Sequence, residues 1–254
     1  MEAAFAIGAD VVELDIHPTA DGEFAVFHDW ELGCRTDGSG ITREHSMVEL
    51  RQRDIGHGYT ADGGKTYPFR GKFRGAMPSL REVLATFPGK RFLINIKSND
   101  AQEGTQLAAF LKTLAEGHQN RLMVYGGDAP VGALHAQLPA VRAMSRQTLK
   151  QCLLRYALLG WSGYVPQSCR HTMLMLPVNI APLLWGWPHR FIHRLEEVGT
   201  HAYLIARYTG GDFSNGLNTK AELADVPENY GGGIWTDRAD IIVPLVKRHS
   251  FQAL

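Results

Sequence analysis

The sequence predicts an α/β fold on a parallel sheet: a TIM (β/α)8 barrel with its first strand missing and an insert after the second strand. Three observations predict it. Apolar, β-rich runs alternate with helix-like periodic segments from Pro78 onward, which is the pattern of βα units. Runs starting near Asp10, Phe92, Arg121, Val141, Thr172, Ala202 and Gly233 supply seven barrel strands, one short of the eight that close such a barrel. The length of 254 residues suits one large domain with a sizeable core. The expected organisation is a single barrel domain over 1–254, with the insert at about 30–80.

The elements follow in order. Met1–Ile7 reads as the middle of a helix with no N-cap before it, stopped by Gly8. The chain is therefore expected to start inside its first helix. Asp10–His17 is apolar and rich in β-branched residues, hence a strand. Thr19-Ala20-Asp21-Gly22 carries turn chemistry, and Phe24–Phe27 returns as a second β run. Residues 30–80 are rich in Gly, Asp, Arg and Thr, with one helix-like patch at Met47–Arg53. Ser79 caps a helix over Leu80–Thr86, with Glu82 at the reciprocal position. Strands at Phe92–Lys97, Arg121–Tyr125, Val141–Ser145, Thr172–Leu176, Ala202–Ala206 and Ile234–Asp237 alternate with helices. Those helices are expected at Ala101–Glu116, Val131–Gln137, Leu149–Leu159, Pro188–Val198, Lys220–Ala224 and Ile241–Arg248.

The formal net charge is zero and the pI is near 7.2. No basic run stands out as a nucleic-acid footprint, so no nucleic-acid partner is expected. Cys34, Cys152 and Cys169 are odd in number and scattered. They suggest neither a metal site nor a disulfide framework, so reduced thiols and a cytoplasmic location are expected. No segment has the length of a transmembrane span.

The chemistry concentrates between Gly8 and Asp29. On a strand, residues two apart share a face, so Glu13 and Asp15 point the same way. Adjacent carboxylates repel, and a strand interior tolerates them only if a cation sits between them or one holds a proton. The short turn brings His28-Asp29 back towards that pair. Asn95 and Lys97 also share a strand face. With Asp237, these residues stand at strand ends, where barrels of this kind place their chemistry. His17 shares the face of Glu13 and Asp15 only if the strand continues. Met173–Trp187 is the most apolar stretch, and its prolines make one continuous helix unfavourable. It reads either as a strand plus a loop packed on the barrel, or as an apolar rim making a peripheral membrane contact.

Taken in order, Glu13-Leu14-Asp15, Thr19-Ala20-Asp21-Gly22 and His28-Asp29 resemble the glycerophosphodiester phosphodiesterase family. The resemblance continues through Leu32…Arg35-Thr36-Asp37-Gly38, Pro78–Leu84, Ile94–Lys97 and Gly233–Asp237. It implies metal-dependent hydrolysis of glycerophosphodiesters to an alcohol and glycerol 3-phosphate. Glu13, Asp15 and Asn95 would hold Mg²⁺ or Ca²⁺ and should converge at one end of the barrel. His28 and Lys97 would be catalytic, and Lys97 and Trp235 would bind substrate, with a core role as the alternative for Trp235. The family's usual acidic residue two before the lysine is here Asn95. Its first strand with His-Arg-Gly is absent from the sequence, which suggests a truncated product or a start-site error. A non-catalytic barrel is the alternative. A related phosphodiesterase acting on lysolipids or phospholipid headgroups is a further one.

Overall fold

The computed structural model describes residues 1–115, 117–210 and 215–251. They form two compact units, one of Glu13–Gln137 and one of Met1–Val12 with Leu138–Leu254.

The first unit is built on β1 (Val11–Pro18), β2 (Phe24–Val26), β3 (Arg91–Ile96) and β4 (Leu122–Gly126), neighbours in the order β2-β1-β3-β4. β1 and β2 form an antiparallel hairpin pairing Ile16 with Val26 and Pro18 with Phe24. β3 and β4 run parallel, with Asn95 opposite Tyr125. Leu14 and Ile16 are buried, as are Phe92, Leu93, Ile94 and Ile96 of β3. Strands covered on both faces read as continuous apolar runs. Helices α2 (Met47–Arg51) and α3 (Leu80–Thr86) both begin with reciprocal capping boxes, Ser46 with Glu49 and Ser79 with Glu82. Each box satisfies two donors that the first helical turn leaves open. Helices α4 (Ala101–Lys112) and α5 (Asp128–Gln137) complete the unit. The last expected residue of α4, Glu116, lies outside the described residues.

The insert makes its own small core. Leu32, Met47, Leu50 and Met77 pack with Ala25 and Phe27, and Ile55 lies against them. Buried Asp54 ties the segment together by accepting bonds from the main-chain N–H groups of Gly56, Gly71 and Phe73. A carboxylate holding several N–H donors organises a loop that has no ladder of its own.

In the second unit, α1 (Glu2–Ile7) ends at Gly8, which adopts φ 106°. Only glycine takes that left-handed cap without strain. β5 (Arg142–Ser145) leads into α6 (Arg146–Leu159). β6 (Met173–Pro177), β7 (His201–Ile205) and β8 (Gly233–Ile234) form a parallel sheet. Helices α7 (His189–Glu197), α8 (Lys220–Leu223) and α9 (Ala239–Phe251) complete it. Each of the seven expected barrel strands thus corresponds to a strand, and β8 is shorter than expected.

One expectation is corrected here. Cys152 and Cys169 are joined in a disulfide, and Cys34 is an exposed free thiol. The expectation of three reduced thiols fails because it weighed sequence spacing, whereas pairing depends on Cα atoms brought to 4.8 Å by folding. The 173–187 stretch follows its reading as a strand plus a packed loop. Met173–Leu176, Val178, Ala181 and Leu184 are buried, and the exposed large apolar side chains of the stretch are Leu183 and Trp185. Among the described residues, no helix is long and apolar enough to cross a membrane.

Candidate active site

The site lies in the Glu13–Gln137 unit, on three neighbouring strands. β1 brings Glu13 and Asp15 to one face by its two-residue period. β3 brings Asn95, with Lys97 just past its end, and β4 brings Tyr125 in register with Asn95. Asn95 Nδ2 donates to Asp15 Oδ1 at 2.8 Å, and Lys97 Nζ stands 3.4 Å from the same oxygen. Tyr125 Oη donates to Glu13 Oε1 at 2.8 Å. Both carboxylates are thus satisfied by donors from the adjoining strands.

The pair behaves as like charges held out of water. Burial, then the neighbouring Asp15, push the Glu13 carboxyl up to about 7, while Tyr125 and Lys97 oppose the shift. Asn95 faces Asp15 with its amide nitrogen. An ionised carboxylate only accepts hydrogen bonds, so an amide beside it is best satisfied by offering its N–H.

His28 stands at the end of the hairpin with its side chain 67% exposed. Its Nδ1 lies 2.7 Å from Asp29 Oδ1. Asp29 also faces Arg35, whose Nε is 3.6 Å from Oδ2, and its carbonyl accepts from Thr42 Oγ1. A carboxylate on Nδ1 sets the tautomer and leaves Nε2 to exchange a proton.

β1 continues to Pro18, so His17 does share the face of Glu13 and Asp15. It is buried, packs edge-on against Trp30 at 5.6 Å, and its Nε2 has no hydrogen-bond partner among the described residues. Burial lowers it to about 4, against a bond to the His28 main chain, so it is a neutral wall of the site at physiological pH. Nearby, Arg43 Nη1 pairs at 2.7 Å with Glu103, which is buried and raised by that burial.

The structure therefore brings Glu13, Asp15, Asn95 and Lys97 together, with His28 oriented by Asp29 on the hairpin of the same unit. Trp235 belongs to the other unit. It is half-buried just past β8, its N–H donating to the Leu204 carbonyl and its own carbonyl accepting from Leu217. Tyr125 was missed by sequence reasoning. The available signal was a lone phenol at the C-terminal end of an apolar strand.

Among the described residues, no cluster of three or more His, Cys, Asp or Glu is arranged to hold a metal. The donor set of Glu13, Asp15 and one amide is nevertheless all hard-ligand chemistry, and a divalent cation such as Mg²⁺ or Ca²⁺ would offset the repulsion between the two carboxylates.

Comparison with known proteins gives a consistent picture. Residues 1–132 match the model of the glycerophosphoryl diester phosphodiesterase family. A glycerophosphodiester phosphodiesterase from Bacillus subtilis is 34% identical over 110 residues, covering 41% of this chain and 36% of the relative. One from Caldanaerobacter subterraneus is 34% identical over 95 residues, covering 37% of this chain and 35% of the relative. The chain thus matches only about a third of the length of these curated relatives. Among solved structures, a glycerophosphodiester phosphodiesterase from Agrobacterium tumefaciens superposes with TM-score 0.66 at 21% identity, covering 96% of this chain and 90% of that one. An Oleispira antarctica phosphodiesterase in complex with the product sn-glycerol-3-phosphate gives TM-score 0.61 at 17% identity, covering 95% and 87%. These likenesses show the fold, that of an α/β barrel.

Proposed function

Because this chain belongs to the glycerophosphoryl diester phosphodiesterase family, we propose that it hydrolyses glycerophosphodiesters to an alcohol and glycerol 3-phosphate with a divalent cation. The observation that carries the reading is the meeting of Glu13, Asp15, Asn95 and Lys97 on adjacent strands.

Glu13 and Asp15 would hold the cation, which when bound supplies a Lewis acid to phosphoryl oxygens. Asn95 orients Asp15 through its Nδ2–H. Lys97 places a fixed positive charge where negative charge grows on the phosphoryl group, and a charge already in position needs no reorganisation. His28, with Nδ1 held by Asp29, moves one proton at Nε2, taking it from the nucleophile or giving it to the leaving alcohol. Tyr125 keeps Glu13 in place. Leu183 and Trp185, the exposed large apolar side chains of the 173–187 stretch, carry a peripheral membrane contact in the same reading.

The test is turnover of glycerophosphocholine, glycerophosphoethanolamine and a lysophospholipid by the longest in-frame protein containing this chain. Turnover is expected to require Mg²⁺ or Ca²⁺ and to stop with chelator. His28→Ala should lower it by roughly 10²–10⁴. Turnover that survives both chelation and His28→Ala overturns the mechanism. Tight divalent binding without turnover on any of the substrates would point instead to a non-catalytic barrel.

A further inference from the structure

Although the whole chain is formally neutral, residues 129–195 contain no Asp or Glu, and every formal charge there is an Arg or Lys. Compensating acidic residues lie elsewhere in the chain. The same segment carries a group of exposed large apolar side chains. Leu154, Leu158 and Trp161 are spaced i, i+4, i+7 along α6 and the 3-10 turn that extends it, so they line one face. They are 68, 73 and 70% exposed, and Leu183 is 78% exposed.

The 183–185 tip belongs to the same surface. Trp185 Nε1 donates to the Ala157 carbonyl at 2.8 Å, and Tyr156 Oη donates to the Trp185 carbonyl at 2.9 Å. The indole is therefore fixed against the last turn of α6 while remaining 49% exposed. The cations stand around this surface. Lys150 and Arg155 are exposed on α6. Arg194 bonds Tyr156 Oη and the Gly160 carbonyl, which joins α7 and its exposed Arg190 to the same region. The Cys152–Cys169 bond anchors α6 beneath it.

We propose that this surface, formed by the end of α6 and the 183–185 tip, docks on a bilayer bearing anionic phospholipid headgroups. Leucines shed water into the acyl boundary, and tryptophans settle where an apolar body meets a polar edge. Lysines and arginines around them meet the negative surface. A nucleic acid would match the charge but leave the leucines in water. The proposal extends the membrane contact proposed above from two side chains to a defined face, and it does not depend on the hydrolase reading.

The experiment is co-sedimentation of the purified chain with phosphatidylcholine vesicles, with and without phosphatidylglycerol, alongside tryptophan emission. Binding is expected to the mixed vesicles, with a blue shift, and to weaken with added salt and on pure phosphatidylcholine. The combined variant Leu158→Ser, Trp161→Ser, Leu183→Ser should bind roughly tenfold more weakly. Lys150→Gln with Arg155→Gln and Arg190→Gln should remove most of the dependence on phosphatidylglycerol, and this second variant serves if the first fails to fold. No binding of the unmodified chain to mixed vesicles overturns the proposal. So does undiminished binding of folded variants, or a lipid-free dimer that the same substitutions dissociate. Turnover of soluble glycerophosphodiesters should be unchanged in both variants, so loss of docking and loss of catalysis are read separately.

Discussion

Glu13 shows how one residue's surroundings decide its chemistry. Burial and Asp15 raise it to about 7, whereas Tyr125 and Lys97 pull the other way. A carboxyl raised in the folded state binds its proton more tightly there than in the unfolded chain. Its contribution to stability is therefore fully present below about 4.5 and is lost as pH rises through about 7. A bound cation would offset that loss by compensating the charge. Melting curves of metal-free protein should accordingly show a larger Tm gain from Mg²⁺ or Ca²⁺ at pH 8 than at pH 5. Glu13→Gln should flatten the difference, because it removes the titrating group without changing the shape. Equal gains at both pH values would refute the assignment of Glu13 to the cation.

Among the elements, the α4–α5 contact inverts an ordinary rule. Glycine inside a helix usually costs about 1 kcal/mol relative to alanine. Gly104 lies within α4, and a Cβ there would sit 1.9 Å from the Pro130 carbonyl oxygen of α5. Backbone cannot yield as a side-chain tip can, so the helices would have to separate. Gly104→Ala is expected to destabilise the protein by about 1–3 kcal/mol, the range for overpacking. Urea denaturation measures it, and a stabilised variant would mean that the two helices do not approach this closely. The capping boxes of α2 and α3 follow the ordinary rule, since Ser-x-x-Glu acts within one turn.

At the scale of the whole molecule, the disulfide is the one covalent link between segments distant in sequence among the described residues. It closes a loop with sequence separation 17. Loop-closure entropy for a loop of this size is worth about 3 kcal/mol. Cys152→Ser with Cys169→Ser is expected to lose about that much, and thiol titration of the unreduced native protein should find one reactive group, Cys34. Three reactive thiols before reduction would show that the bond does not form. Disulfides persist in oxidising compartments, so the scattered cysteines no longer support a cytoplasmic location.

What the sequence by itself determined was whatever depends on near neighbours in the chain. The Asp10–His17 run became β1, Ser79 and Glu82 capped α3, and Gly8 stopped α1. The shared face of Glu13 and Asp15 followed from the strand period alone. Contacts made across the fold were decided only by tertiary structure. Tyr125 meets Glu13 across 112 residues, and Asn95 turns its nitrogen to Asp15 across 80. His17 went from an uncertain neighbour to a buried, neutral wall because the ladder extended to Pro18. The apolar 173–187 stretch divided into core and exposed tip according to which side chains β6 and the following turn cover. Cys152 found Cys169 for the same reason. Hydrophobicity and residue type say what a side chain can do, but only packing decides which atoms it meets.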